Sequence, residues 1–224
     1  MGSTFNYFSE SFNWVSLLLA LIFFVRYSRS TKWLSIYLVI LPFLVLWMNH
    51  DAYQHKNNMY LKHVLAHLEI SVFTIYFYYL FEKLFFRRMV IFLYIGYLIF
   101  AVFDTVLYES FAVYPSNIGF VYSLIVILFS FLLFYEIYEK GEVLYIERDP
   151  HFWINSALLI YYSGTLILGL FINFLMYKIP KEKFIYLDDF FSSMTIVFNV
   201  LVCIGLSIEA YQNRKVKSEK SSLV

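Results

Sequence analysis

The sequence predicts an all-α protein, a polytopic bundle of seven transmembrane helices, and three observations carry this prediction. The mean hydropathy is +0.68 and aromatic residues make up 23% of the 224 residues. Charged residues make up only 15%, whereas soluble domains contain about a quarter. Apolar runs long enough for a span of about 20 residues follow one another along the chain, which leaves no room for a separate soluble catalytic domain.

The apolar runs predict a single transmembrane domain over residues 1–213 and a short basic cytoplasmic tail at 214–224. Turn residues Pro115 and Asn117 separate the fourth run from the fifth, and Pro150 precedes the sixth. No internal repeat is visible in the sequence. The seven predicted spans are 12–28, 33–49, 61–81, 89–108, 117–138, 152–177 and 187–210.

The Lys and Arg residues predict that the N-terminus lies outside and the C-terminus inside. With this orientation twelve basic residues fall on the cytoplasmic side and five on the other side, in agreement with the enrichment of such residues in cytoplasmic loops. The formal net charge of +1 provides no basic face for nucleic acid. The lipid bilayer is therefore an expected partner and nucleic acid is not.

Four of the five histidines lie between residues 49 and 69, in the hairpin that this topology places on the outer side. His63 and His67 are four residues apart and project from one helix face. Such a pair can hold a metal ion together with carboxylates of neighbouring helices. Hydrogen bonding at the interface, a polar network between helix ends and proton sensing are the alternatives. The candidate ligands for zinc are His50, His63, His67, Asp104 and Asp188.

Glu69 lies about eight residues inside the third span. A carboxylate at this depth is unfavourable in lipid, so we expect it to face the bundle interior and to pair with another helix. It lies about 200° around the helix from His67, which places the two side chains on different faces. Glu136, at the inner end of the fifth span, is predicted to be a boundary residue that reaches towards water.

The sixth predicted span is rich in polar residues. Asn155, Tyr162 and Asn173 are spaced by 7 and 11 residues, which predicts one stripe facing the interior, with Asn199 of the seventh span as a partner. Two interpretations of these residues are open, structural hydrogen bonds between helices and a ligand-lined pocket. The four residues join Glu69 as candidates for ligand or proton sensing. The seventh span has no lysine, so a covalently bound retinal is not expected.

The segments DPHFWINSALLIYYSGTLILGLFIN, LKHVLAHLEISVFTIYFYYLF and FYEIYEK resemble poorly characterised bacterial seven-span membrane proteins associated with sensor histidine kinases. The resemblance implies a signalling accessory protein of the bacterial cytoplasmic (inner) membrane, with a sensor histidine kinase as partner and no assigned catalytic residues. A weaker similarity is to the alkaline-ceramidase-like membrane hydrolases, which hold zinc with histidines. Their HxxxH pattern lies in the last span, whereas here it lies in the third.

Three functions follow from these patterns. The first is a receptor-like sensor, more a binding protein than an enzyme, whose outward-facing polar pocket changes the inner loops when a ligand or proton binds. The second is a zinc-dependent lipid hydrolase that uses the histidines and carboxylates of the outer rim. The third is a proton-coupled transporter that uses Glu69, against which the lack of repeats and of Pro-interrupted helices counts.

Overall fold

The computed structural model describes residues 4–140, 146–180 and 183–222, and these residues form helices without strands. Two short 3-10 turns, Phe24–Arg26 and Ile146–Arg148, accompany the α-helices. The α-helices of the described ranges are α1 (Thr4–Phe23), α2 (Arg29–Tyr53), α3 (Met59–Leu80), α4 (Leu84–Leu107), α5 (Ser116–Lys140), α6 (Pro150–Leu170), α7 (Ile172–Lys178) and α8 (Phe184–Ser222).

Six helices of the described chain are long and apolar enough to cross a membrane, namely α1, α2, α4, α5, α6 and α8. Their outer surfaces carry large apolar side chains; on α4, Phe92 and Val106 are each 75% exposed. Such surfaces suit a lipid environment. The fold is therefore that of an all-α, multi-pass membrane protein.

The third predicted span is also a helix, α3, but it is not among the six apolar ones. Lys62, His63, His67 and Glu69 lower its hydropathy. The same helix lies deep in the bundle, where it packs against α2, α4 and α5. Burial inside the protein is the setting in which polar residues at membrane depth are tolerated.

The long helices run alternately up and down and close into a ring. α1 packs on α2 and α8, α6 packs on α5 and α8, and α3 joins α2 to α5, with α4 outside it. The helix ends therefore form two faces. The N-terminal face carries the connections 54–58 and 108–115 together with α7, and the C-terminal face carries residues 27–28, 81–83 and 146–149.

One predicted boundary was wrong. The sixth span is not one helix over 152–177: α6 ends at Leu170 and α7 begins at Ile172. Gly169, a weak helix former, lies in the last turn of α6, and the N–H of Phe171 folds back onto the carbonyl oxygens of Gly169 and Ile167. At the other end of the chain, α8 continues to Ser222, and the assignment of residues 214–224 as a cytoplasmic tail is still a prediction.

The expectation that Glu136 is a boundary residue was also wrong. It is 2% exposed, and its Oε1 accepts the backbone N–H groups of Glu82 and Lys83 at 2.9 and 3.1 Å, at the start of α4. The first N–H groups of a helix have no partner within the helix, and this carboxylate supplies one. Glu209 of α8 does the same for α2, because its Oε1 accepts the N–H of Ser28 at 2.6 Å.

Candidate ligand-binding cavity

Glu69 of α3 is the centre of a polar cluster inside the bundle. The side chain is 7% exposed, and it faces the interior as its depth in the span predicts. Its Oε1 accepts a hydrogen bond from the Tyr37 hydroxyl at 2.8 Å, and its Oε2 accepts one from Tyr162 at 3.2 Å. Tyr122 of α5 interacts electrostatically with the same carboxylate. Helices α2 and α6 thus each provide a hydrogen-bond donor to one residue of α3.

A cavity of about 450 Å³ extends from this cluster to the N-terminal face. Glu69 and Asn199 line its deep end, whereas Asn49 and Asp188 line its mouth. Both mouth residues are exposed, so the cavity opens on the N-terminal face. Helices α1, α2, α3, α5, α6, α7 and α8 all contribute to its wall.

Aromatic rings form much of the wall. Tyr162 packs edge to face against Tyr122 and Tyr161, with ring centroids 5.6 and 5.1 Å apart. Tyr161 in turn packs against Phe198 of α8 at 5.4 Å. Such pairs hold the rings in fixed orientations, and all four side chains line the cavity.

The charged groups of the wall are mainly acidic. Glu10, Glu69 and Asp188 line the cavity together with one basic residue, Lys62. Tyr114, in the connection before α5, lies among these groups: burial and the nearby carboxylates of Glu69 and Glu109 raise the pKa of its hydroxyl to about 12. The hydroxyl is therefore protonated at neutral pH and is available as a donor.

Asn173 lies at the rim rather than on a stripe with Tyr162, because the helix is interrupted between them. Its Nδ2 donates to Glu109 Oε1 at 3.1 Å and to the carbonyl oxygen of Tyr114 at 2.9 Å. Glu109 also accepts from the Ser116 hydroxyl and from the backbone N–H of Asn117. This rim network fastens α7 to the connection between α4 and α5.

The other two asparagines have different partners from those expected. Asn155 is buried away from the cavity and donates to the carbonyl oxygen of Ser130 in α5 at 2.9 Å. Asn199 does line the cavity, but its amide bonds to α1: Nδ2 donates to Asn13 at 2.9 Å, and Oδ1 accepts from Ser16 at 2.5 Å. Asn199 thus joins α8 to α1 and has no bond to the predicted stripe.

The three histidines among the proposed metal ligands point to separate partners. His50 is exposed, and its Nε2 lies 2.9 Å from the side-chain nitrogen of Gln54, the residue that follows α2. His63 is buried, with Nε2 3.1 Å from the carbonyl oxygen of Val113. His67 Nδ1 lies 2.8 Å from a tyrosine hydroxyl on α4. His67 and Glu69 occupy different faces of α3, as their spacing predicts.

The two aspartates of the proposed metal set are also apart. Asp104 of α4 is buried and accepts from the side chain of Asn117 at 2.9 Å, whereas Asp188 lines the cavity mouth. Within residues 4–140, 146–180 and 183–222, no three His, Cys, Asp or Glu side chains are grouped to hold a metal ion. The zinc site is still a prediction, and the geometry of these five residues gives it no support.

Sequence reasoning identified Glu69, Tyr162 and Asn199 as wall residues but missed Tyr37 and Tyr122. The chain contains 21 tyrosines, so neither residue is distinguished by its type. Tyrosine at span ends is ordinarily an interfacial anchor, and only the packing of α2 and α5 around α3 reveals these two as partners of Glu69.

The sequence matches no protein-family model, and no curated protein and no solved structure is significantly similar to it. The fold and the cavity define a class, a multi-pass α-helical membrane protein with an internal polar cavity open at one face. The geometry of that cavity is the basis for assigning a function.

Proposed function

We propose that this chain is a receptor-like membrane sensor that binds a small ligand in its central cavity. The observation that carries the proposal is a cavity of about 450 Å³ that opens on the N-terminal face and ends at the buried carboxylate of Glu69. Ligand pockets measure roughly 300 to 1,000 Å³ and combine apolar walls with a few placed polar groups. The tyrosine-ringed Glu69 is such a group.

The proposal includes α3 as a seventh span and an outward-facing cavity. A helix of 22 residues is about 33 Å long, enough for the hydrocarbon core of about 30 Å. The distribution of twelve basic residues against five favours an external N-terminus. Placement in a bacterial inner membrane, and a sensor histidine kinase as partner, rest on the sequence resemblance.

Helix α8 supports signal transmission because it connects the cavity to the C-terminal face without interruption. It lines the cavity at Asn199, and on the C-terminal face Glu209 bonds to Ser28. One turn further on, Asn213 Nδ2 donates to the carbonyl oxygen of Arg26 at 2.6 Å. A ligand that binds more tightly to one of two arrangements of α8 would shift the population towards that arrangement, and these contacts would change with it.

Filling the cavity covalently tests the proposal. Leu166 is half-buried and lines the cavity, whereas Ser163 of the same helix is exposed on the outside of the bundle. Each is replaced by cysteine in a Cys203→Ser background, which removes the single native thiol, and is modified with N-ethylmaleimide. We expect modification at 166, but not at 163, to change hydrogen exchange in the segment 205–215. Unchanged exchange with the cavity filled would refute transmission.

A proton-coupled transporter is the second candidate, and the break at Phe171 favours it. Gly169 and Ile172, on either side of the break, both line the cavity, and interrupted helices line the substrate sites of many transporters. A transporter would carry a radiolabelled amine, amino acid or sugar into liposomes under a pH gradient. The uptake would be lost in Glu69→Gln, while a sensor would show no uptake.

A further inference from the structure

We infer that the cavity selects a small organic cation, an amine or a quaternary ammonium group, with Glu69 as its counter-charge. The inference rests on the proposed function, since it names the class of ligand for the same cavity. It is carried by the charge of the wall, by the aromatic rings around Glu69 and by the arrangement of the basic groups.

The charge of the wall favours a cation. Three carboxylates, Glu10, Glu69 and Asp188, face one ammonium group, Lys62, so the ionised wall carries a net formal charge of −2 (three negative, one positive). A cleft with walls of low dielectric constant focuses such a field and raises the local concentration of the opposite charge. An anionic ligand would be repelled along the same path.

The aromatic wall favours an organic rather than a hydrated inorganic cation. Tyr162 donates its hydroxyl to the Glu69 carboxylate, and its ring meets the ring of Tyr122 edge to face. Aromatic faces attract ammonium groups by cation–π interaction, most strongly where water is excluded. Leu65 and Leu166, which also line the cavity, are suited to contact the carbon substituents of such a ligand.

A metal ion and an anion fit the cavity less well. The hydrogen-bond donors to Glu69 in the described chain are the hydroxyls of Tyr37 and Tyr162, and no metal-binding group of three side chains occurs in that part. Lys62 lies seven residues before Glu69, about 10 Å towards the mouth. It interacts electrostatically with both Glu69 and Asp188. It therefore partly neutralises these two acids, and the cavity wall keeps an excess of negative charge.

Paired thiol reagents of opposite charge test the inference without a known ligand. Leu166→Cys, in the Cys203→Ser background, is reacted with trimethylammonium-ethyl methanethiosulfonate and with sulfonato-ethyl methanethiosulfonate. Ser110→Cys, exposed on the N-terminal face, gives the intrinsic ratio of the two rates. After division by this ratio, we expect the cationic reagent to react at position 166 at least about tenfold faster than the anionic reagent.

Two further substitutions assign the preference to charges of the wall. Glu69→Gln keeps the shape of the side chain and should reduce the normalised preference for the cationic reagent about tenfold. Lys62→Gln should increase it, and this second variant keeps the test valid if Glu69→Gln does not fold. Neither change should alter the rate ratio at position 110.

The outcomes separate the inference from the proposed function. If neither reagent reaches position 166, the cavity is closed to solutes and both the proposed function and the inference fail. If both reagents react with a normalised ratio near one, the cavity stands and its preference for cations is refuted. A preference that both substitutions leave unchanged would equally exclude Glu69 and Lys62 as its source.

Discussion

Glu69 illustrates at the residue scale why one carboxylate can be placed inside a helical bundle. The hydroxyls of Tyr37 in α2 and Tyr162 in α6 donate to it, and Tyr122 of α5 interacts with it electrostatically. A buried charge is strongly unfavourable unless it is hydrogen-bonded or paired, and Tyr37 and Tyr162 each supply a donor together with a large apolar ring. These interactions tie α3 to three different helices.

Removing one of these donors should destabilise the bundle measurably. Tyr37→Phe keeps the ring and deletes the hydroxyl that donates to Glu69 at 2.8 Å. We expect a loss of about 1 to 2 kcal/mol in the free energy of unfolding, since hydrogen bonds to charged groups contribute about 1.5 to 3 kcal/mol in proteins and less in membranes. Tyr135→Phe is the control, because Tyr135 is 53% exposed. Equal stability of both variants in detergent unfolding experiments would contradict the assigned contact.

At the same scale, the sequence predicts some residues of the cavity and not others. Glu69 stands out because it is a carboxylate in an apolar run, and Tyr162 and Asn199 lie in runs rich in polar residues. Glu136 and Glu209 were not predictable as caps, since they accept N–H groups 53 to 181 residues away in the chain. Contacts of that kind depend on which helix ends come together.

At the scale of elements, the contact between α6 and α8 depends on a glycine. A Cβ atom at Gly205 of α8 would lie 2.7 Å from the Ile154 side chain and 2.8 Å from the carbonyl oxygen of Pro150. Small residues allow this close approach of helices within membranes. Because the oxygen of Pro150 belongs to the backbone, rotation of a side chain cannot relieve this contact.

Gly205→Ala should therefore separate α6 from α8 and lower stability by about 1 to 3 kcal/mol, the range typical of overpacking. Gly96→Ala in α4 is the matched control, since a Cβ atom there meets nothing within 4 Å. The control should be neutral or stabilising by up to about 1 kcal/mol, because alanine favours the helix. Thermal unfolding in one detergent compares the two, and a tolerated Gly205→Ala would disprove the close contact.

The contact between α8 and α1 is also an element-scale feature, and it is held by Asn199. Asn199→Ala removes the bonds to Asn13 and Ser16 and should reduce stability by about 1 to 2 kcal/mol. Ser207→Ala, on the same helix, is the control because Ser207 is exposed and, among the described residues, bonds only to the carbonyl oxygen of Cys203 in its own helix. A Tm equal to that of the control would mean that Asn199 does not join the two helices.

The elements were largely predictable because apolar runs of about 20 residues separated by charges leave few alternatives. The exception is the predicted span over 152–177. Its apolar pattern continues through Phe171, and the interruption coincides with the bonds that Asn173 makes to a distant connection. Hydropathy contains no information about such a partner.

At the scale of the whole molecule, the position of α3 combines the membrane fold with the cavity. Its polar residues lower its hydropathy, so it is not among the six strongly apolar helices. One of these residues, Glu69, lies buried inside the ring of helices. The sequence predicts that Glu69 faces the bundle interior, but it does not predict that the whole of α3 lies deep in the bundle. The cavity itself depends on the gaps between side chains of seven helices, which no local pattern encodes.

The most direct test of an outward-open cavity above Glu69 is labelling of position 166 in intact bacterial cells. A membrane-impermeant cationic thiol reagent is applied to cells that produce Leu166→Cys in the Cys203→Ser background, with Tyr138→Cys, 84% exposed near the C-terminal face, for comparison. We predict labelling of position 166 from outside, and labelling of position 138 only in inverted membrane vesicles. The reverse pattern, or no labelling of position 166 from either side, would contradict an outward-open cavity.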